Sequence, residues 1–233
     1  MRVTLGTEPG SPDWPNEDFT ALAPGAAVLL DGATTFPLGT DTGCVHGVAW
    51  YAQTLGTTFL ALLAASPPVP LADALAAAIS DVRARHEHRC DLTSRSTPAA
   101  TVTAVRAAGD RIEYLALSDS SIAADPADGG PPVTITDTHP AASASPDAAR
   151  LARTGTLDRA GLAGIGLLSD GATRITDRYA LLSWSAAVGV LRDRGPAELI
   201  RQVRAAEASD PDAARWPRLK IRDDATALYW HLD

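Results

Sequence analysis

The chain has 233 residues, a length that one α/β domain fills, with an ordinary 45% of hydrophobic and 21% of charged residues. A formal net charge of -8 excludes a general nucleic-acid binder, which needs clustered cations to meet phosphates. No apolar run approaches the roughly 18 residues of a membrane span. The N-terminus MRVTLGTEPG has no basic region followed by a long apolar stretch, and two cysteines make no disulfide scaffold, so a cytoplasmic chain is expected.

Residues 2–5 alternate weakly and predict an edge strand, which runs into a Pro/Gly-rich loop ending at PNED. Residues 26–30 form a short apolar run stopped by Asp31-Gly32, a buried strand delivering an aspartate at its tip. A Gly/Thr/Pro loop through Thr42 follows. Val45, Val48, Ala49, Ala52, Leu55, Phe59 and Leu62 then recur at helical spacing up to Pro67-Pro68. A second helix is predicted over 71–88, with Leu71, Leu75, Ala78, Ile79 and Val82 inward.

The middle of the chain reads as β. Residues 100–106 and 111–117 form a hairpin about Ala108-Gly109-Asp110, and 122–124 and 133–136 form two short strands about PADGG. A Pro/Ala/Ser-rich loop covers 139–145 and a short helix 146–154. Residues 165–168 are another apolar strand ending on an aspartate, in Ser169-Asp170-Gly171. Helices over 177–192 and 196–208 follow, the second with Pro196 at its first position. Asp223-Asp224 then opens a last strand over 225–231. Nothing in this pattern marks a second domain, so 1–233 is read as one domain.

The informative feature is this punctuation. Strands end or begin on acidic residues at Asp31-Gly32, Asp170-Gly171 and Asp223-Asp224, and Glu17-Asp18 precedes the first. Carboxylates are hard oxygen ligands suited to Mg²⁺ or Mn²⁺. Two such ions lower the pKa of a shared water and stabilise in-line displacement at phosphorus. A glycine beside the ligand allows a tight turn and close approach of a metal to the backbone carbonyl. Each pair alone is an ordinary turn dipeptide; the set and its order carry the weight.

In that set the sequence resembles the type-2C, metal-dependent protein serine/threonine phosphatases along nearly the whole chain. NEDF at 16–19 resembles the family's opening acidic motif, and LLDGAT at 29–34 its first metal-binding strand. TPAATVTAV at 97–105 is similar to its threonine-containing strand, YLALSDSSI at 114–122 to its GDS hairpin, LLSDGAT at 167–173 to SDG, and DDAT at 223–226 to the closing motif. The stretches PNEDF, TGC-x-HGV-x-W and KIRDDAT look closest to an actinobacterial branch. The resemblance implies an α+β fold, a four-layer α/β/β/α sandwich of two antiparallel β-sheets flanked by helix pairs. It implies two Mn²⁺ or Mg²⁺ ions, or three with a weaker site. Asp31 would bridge both metals, the Gly32 carbonyl would bind one, and Asp170 and Asp223 the second. Glu17 and Asp18 would hold metal-bound waters, and Asp119 would join Asp170 at the third ion. The implied reaction is hydrolysis of phosphoserine or phosphothreonine in proteins by a metal-bridging hydroxide, without a covalent intermediate.

Three departures stand out. No arginine lies between Arg2 and Arg83, where the family places one to grip phosphate; either metal alone holds the phosphate, or one of the candidates Arg174, Lys220 and Arg222 does. No histidine follows Asp31-Gly32, and His46 on the next helix is the candidate general acid, against a plain packing role. The stretch 125–164 is short where the family often carries a flap. Two other readings therefore stay open: a phosphatase-like metal-binding regulatory protein with little turnover, and a small-molecule phosphatase. His86, His88 and Cys90, with Cys44 and His46, raise a zinc site whose spacing fits none of the usual patterns. Cys44 and Cys90 also raise a redox pair, since both border the helix pair. Trp50-Tyr51, Trp184 and Trp216 read as packing residues. Thr34-Thr35 and 118–121 lack the base and orienting acid of a serine hydrolase, and no phosphate-binding loop of the ATPase type is present.

Overall fold

The computed structural model describes residues 2–33, 41–65 and 68–232. Thr34 and Thr35 lie outside them, as does the end of the LLDGAT motif. The chain divides into two compact units. The first comprises the described residues within 1–16, 121–135 and 158–233, the second those within 17–120 and 136–157.

The first unit holds a five-stranded antiparallel sheet in the order β1-β11-β10-β7-β8, from β1 (Arg2–Glu8), β7 (Ser121–Pro126), β8 (Val133–Ile135), β10 (Leu162–Leu168) and β11 (Ala225–His231). As expected, residues from 2 onward form an edge strand. β11 is buried at all seven positions, including the polar Thr226 and His231. Three helices, α3 (Asp170–Asp177), α4 (Trp184–Arg194) and α5 (Pro196–Ala208), cover one face of this sheet. Their core is Ile175, Tyr179, Val188, Leu191, Leu199 and Val203 against Ala225, Ala227 and Tyr229. The helix expected over 177–192 begins only at Trp184, and a separate short helix that was not expected, α3, ends at Asp177.

The second unit holds the sheet β2-β3-β5-β6-β9, with the two-residue β4 (Ala99–Ala100) also paired to β3. Its strands are β2 (Asp18–Ala23), β3 (Ala26–Ala33), β5 (Val102–Ala108), β6 (Arg111–Leu117) and β9 (Arg153–Asp158). The β5–β6 hairpin turns on Gly109 at φ +63°, a left-handed conformation glycine takes without penalty. Two helices, α1 (Gly47–Leu63) and α2 (Leu71–His86), pack together, and α1 lies on β2 and β3. Tyr51, Leu55, Phe59, Leu75 and Ile79 fill the space above Val28 and Leu30. Val45, expected on the buried face of the first helix, precedes the helix and is 64% exposed. The short helix expected at 146 is a 3-10 turn, Pro146–Leu151. The α+β class with two antiparallel sheets is as the sequence indicated; β2 and β9 are strands it did not mark.

Candidate metal centre

In the second unit the β2–β3 register sets Asp18 directly opposite Asp31. Like charges at opposed positions of a sheet repel, and two facing carboxylates are a hard-oxygen donor pair of the kind Mg²⁺ and Mn²⁺ take. The backbone of Asp31 is fixed from its other side. Its N–H donates to Thr101 Oγ1 at 3.2 Å, its carbonyl accepts from the Thr101 N–H at 2.8 Å, and Thr101 Oγ1 shares a hydrogen bond of 2.6 Å with Ser120 Oγ. Thr101 and Ser120 are both buried. The threonine of the TPAAT segment therefore orients the aspartate, a role its sequence position did not disclose.

Gly32 has a physical reason different from the one expected. A Cβ built there would lie 2.6 Å from Val48 Cγ1 and 2.8 Å from Glu17 Cβ. The missing side chain lets the first turn of α1 and the Glu17 backbone close on the strand, and the Gly32 N–H donates to the Glu17 carbonyl at 3.1 Å. Glu17 and Asp18 are thus held beside Asp31-Gly32 by main-chain bonds.

Asp119 stands exposed on the turn between β6 and β7, after Ser118 at φ 70°. That strained turn is braced by Asp137, a residue the sequence reading passed over. The Ser118 N–H donates to Asp137 Oδ2 at 3.2 Å, and His139 Nδ1 lies 2.8 Å from Asp137 Oδ1. Burial alone would raise the Asp137 carboxyl, but His139 and the amides of Ser118, Thr138 and His139 hold it below its ordinary range. His46, the candidate general acid, caps α1 with its ring stacked on Trp50 at 4.2 Å and tilted 6.2 Å from His86.

In the first unit Asp170 is the first residue of α3, preceded by Ser169 in extended conformation. A carboxylate there faces the positive end of the helix. Across from it comes the Asp223-Asp224 backbone: a Cβ on Gly171 would sit 1.9 Å from the Asp224 carbonyl oxygen and 3.3 Å from Asp223 Cβ. Only glycine permits this approach, so SDG and DDAT interlock and carry Asp170 and Asp223 to one place. The Asp224 carboxylate accepts the Gly10 N–H at 2.8 Å.

Asp223 has strong company already. Arg174 Nη2 donates to its Oδ2 at 2.7 Å and Lys220 Nζ to its Oδ1 at 2.7 Å. Arg174 is buried and also meets Glu207 at 3.2 Å. Burial works against its charge, but Asp223, Asp170, Tyr179 and Glu207 outweigh it and hold the guanidinium more firmly protonated. Two of the three substitutes for a phosphate-gripping cation are therefore engaged inside the unit, and only Arg222 is exposed. Within the second unit the oxygen donors of Asp18 and Asp31 are of the hard kind a divalent ion takes. At Asp223 an ion competes with two cationic side chains.

A model of the family described as Protein phosphatase 2C matches residues 6–204. No curated protein matches the sequence significantly. Several solved structures share the fold. The serine/threonine phosphatase PstP/Ppp of Mycobacterium tuberculosis is 17% identical with a TM-score of 0.67, the match covering 100% of this chain and 98% of that one. The catalytic domain of PstP in complex with two manganese ions is 16% identical with a TM-score of 0.64, covering 99% and 97%. The serine/threonine phosphatase Stp1 of Staphylococcus aureus is 12% identical with a TM-score of 0.66, covering 99% and 94%. No helix among the described residues is long and apolar enough to cross a membrane.

Proposed function

The chain belongs to the protein phosphatase 2C family, and from that premise we propose that it is a Mn²⁺- or Mg²⁺-dependent phosphatase acting on phosphate monoesters, phosphoserine and phosphothreonine of proteins first among them. The observation that supports this reading is the close approach of Gly171 to the Asp224 backbone, which sets the SDG motif of Asp170 against the DDAT motif of Asp223, 53 positions further on. Asp31 and Asp170 are the primary ligands in this reading, with Asp18 and Glu17 orienting coordinated water, the Gly32 carbonyl as a further donor and Asp119 at a weaker third site. Asp223 is a ligand that must first exchange Lys220 or Arg174 for the ion. When bound, divalent ions supply an activated water and positive charge for the phosphoryl oxygens. Thr101 holds the Asp31 backbone in place, and Arg222 is the exposed cation available to a phosphate.

The test is hydrolysis of p-nitrophenyl phosphate and of a phosphothreonine peptide with added Mn²⁺. Asp31→Ala should lower the rate by more than about 100-fold, and EDTA should abolish it. A rate for Asp31→Ala close to that of the unaltered chain sinks the reading. The hold of Arg174 and Lys220 on Asp223 favours one alternative, a metal-binding regulatory protein with little turnover. Heat of Mn²⁺ binding by calorimetry without hydrolysis of either substrate would select it.

A further inference from the structure

Away from the carboxylates, the second unit gathers three soft ligands that are scattered in the sequence. Cys44 lies just before α1, His86 is the last residue of α2, and Cys90 follows it by four positions. Cys44 Sγ is 2.8 Å from Cys90 Sγ and 3.5 Å from His86 Nδ1, and one ligand atom from each of the three lies within 4.8 Å of the others. We propose that Cys44, His86 and Cys90 form a binding site for a zinc-class ion, with the fourth position open to water.

Four features support a built site. Thiolate and imidazole together are the donor set that selects zinc over the hard ions of a carboxylate centre. His86 is 1% exposed and turns its Nδ1 toward the Cys44 sulfur. Both cysteines are partly exposed, which gives an ion a way in. The frame is also rigid. The Cys90 N–H donates to the His86 carbonyl at 3.0 Å, the Asp91 N–H to the Gly43 carbonyl at 2.7 Å, and Gly43 turns at φ 70° to permit that contact.

Binding displaces the two thiol protons to solvent as two S–metal bonds form. His46 is not a fourth ligand in this conformation, since its ring stacks on Trp50. The site would clamp the start of α1 to the end of α2. The first turn of α1 carries Val48, which presses on Gly32 beside Asp31, so the clamp steadies the corner that presents that aspartate.

Cobalt(II) is the probe, because thiolate coordination gives a near-ultraviolet charge-transfer band that carboxylates cannot produce. Titrating CoCl₂ into the full, reduced chain should raise this band to saturation at one equivalent. One equivalent of ZnCl₂ should then remove it. Cys44→Ser and Cys90→Ser should each lose the band, and His86→Asn should shift it and weaken cobalt binding at least tenfold. Circular dichroism of each variant separates a lost ligand from a lost fold, and the titration of the unaltered chain needs no variant. No band in the reduced chain with two titratable thiols overturns the proposal, and so does a band that His86→Asn leaves unchanged. A Cys44–Cys90 disulfide that, once reduced, still binds no cobalt overturns it in favour of a redox pair.

Discussion

Replacing Arg174 with methionine probes the first unit's carboxylates most sharply, because methionine keeps the apolar stem and removes only the guanidinium. Arg174 is 7% exposed and divides itself between Asp223 at 2.7 Å and Glu207 at 3.2 Å. Breaking a buried ion pair by removing one partner costs about 3–5 kcal/mol when the other is left bare. Neither carboxylate is left bare here. Asp223 keeps Lys220 at 2.7 Å, and Glu207 keeps Arg204 at 2.7 Å and the Tyr179 hydroxyl at 3.4 Å. Arg174→Met should therefore destabilise the chain in EDTA by about 2–3 kcal/mol, below the bare-partner range. Most of that loss arises at Glu207, whose side chain is fully buried. The same substitution removes one of the two cations an incoming metal must displace at Asp223. If it tightens Mn²⁺ binding tenfold, excess Mn²⁺ stabilises Arg174→Met by about 1.4 kcal/mol more than it does the parent chain. Guanidinium unfolding with EDTA and with Mn²⁺ measures both terms. A loss under about 0.5 kcal/mol in EDTA would refute the ion-pair reasoning. Equal stabilisation of both proteins by Mn²⁺ would remove Asp223 from the ligand set.

Gly171→Ala forces a methyl group to within 1.9 Å of the Asp224 carbonyl, beyond ordinary overpacking, and should cost about 3 kcal/mol or more. That is a fall of about 6–12 °C in Tm by calorimetry; a fall under about 2 °C contradicts the interlock. Asp210 accepts the N–H groups of Arg215 and Trp216 and pairs with Arg218 at 2.7 Å, and those amides first, with Arg218, depress its pKa to about 2. A carboxyl depressed on folding contributes stability above its unfolded pKa, near 4, that is lost as pH falls toward 2. Urea unfolding across that window should therefore be less pH-dependent for Asp210→Asn than for the parent chain, and identical slopes would count against the assignment.

How much of this was legible in the sequence depended on whether a residue's neighbours were close along the chain. The apolar runs ending at Asp31 and Asp170 gave both strands, because burial on both faces leaves an uninterrupted hydrophobic signature. β2 escaped notice because its apolar residues point both ways: Phe19 and Ala21 pack on the core while Leu22 is 41% exposed. β9 escaped for the opposite reason. RTGTLD has no apolar face, and it is held by its pairing and by Gly155, where a Cβ would lie 2.4 Å from the Tyr114 hydroxyl. Asp170 looked like a strand tip because Asp-Gly is a turn signal, and the eight-residue helix it opens is too short to show a period of its own.

The side-chain clusters show the same limit more strictly. Spacing rules for zinc ligands presuppose two local pairs on turns. Here one pair, His86 and Cys90, spans a helix end, and the third ligand arrives 46 positions earlier, at the start of another helix. No local pattern reports that meeting. Arg174 makes the point for charge. In sequence it is a free cation four residues after a metal-motif aspartate, well placed to grip phosphate. In the fold, the turn of α3 that presents Asp170 directs Arg174 inward, onto Asp223 and Glu207, because both carboxylates lie buried beside that helix and need a counter-charge there. The sequence indicated which residues carry the charge. Which charge neutralises which is settled by a buried face that three segments, α3, α5 and the stretch before β11, build together.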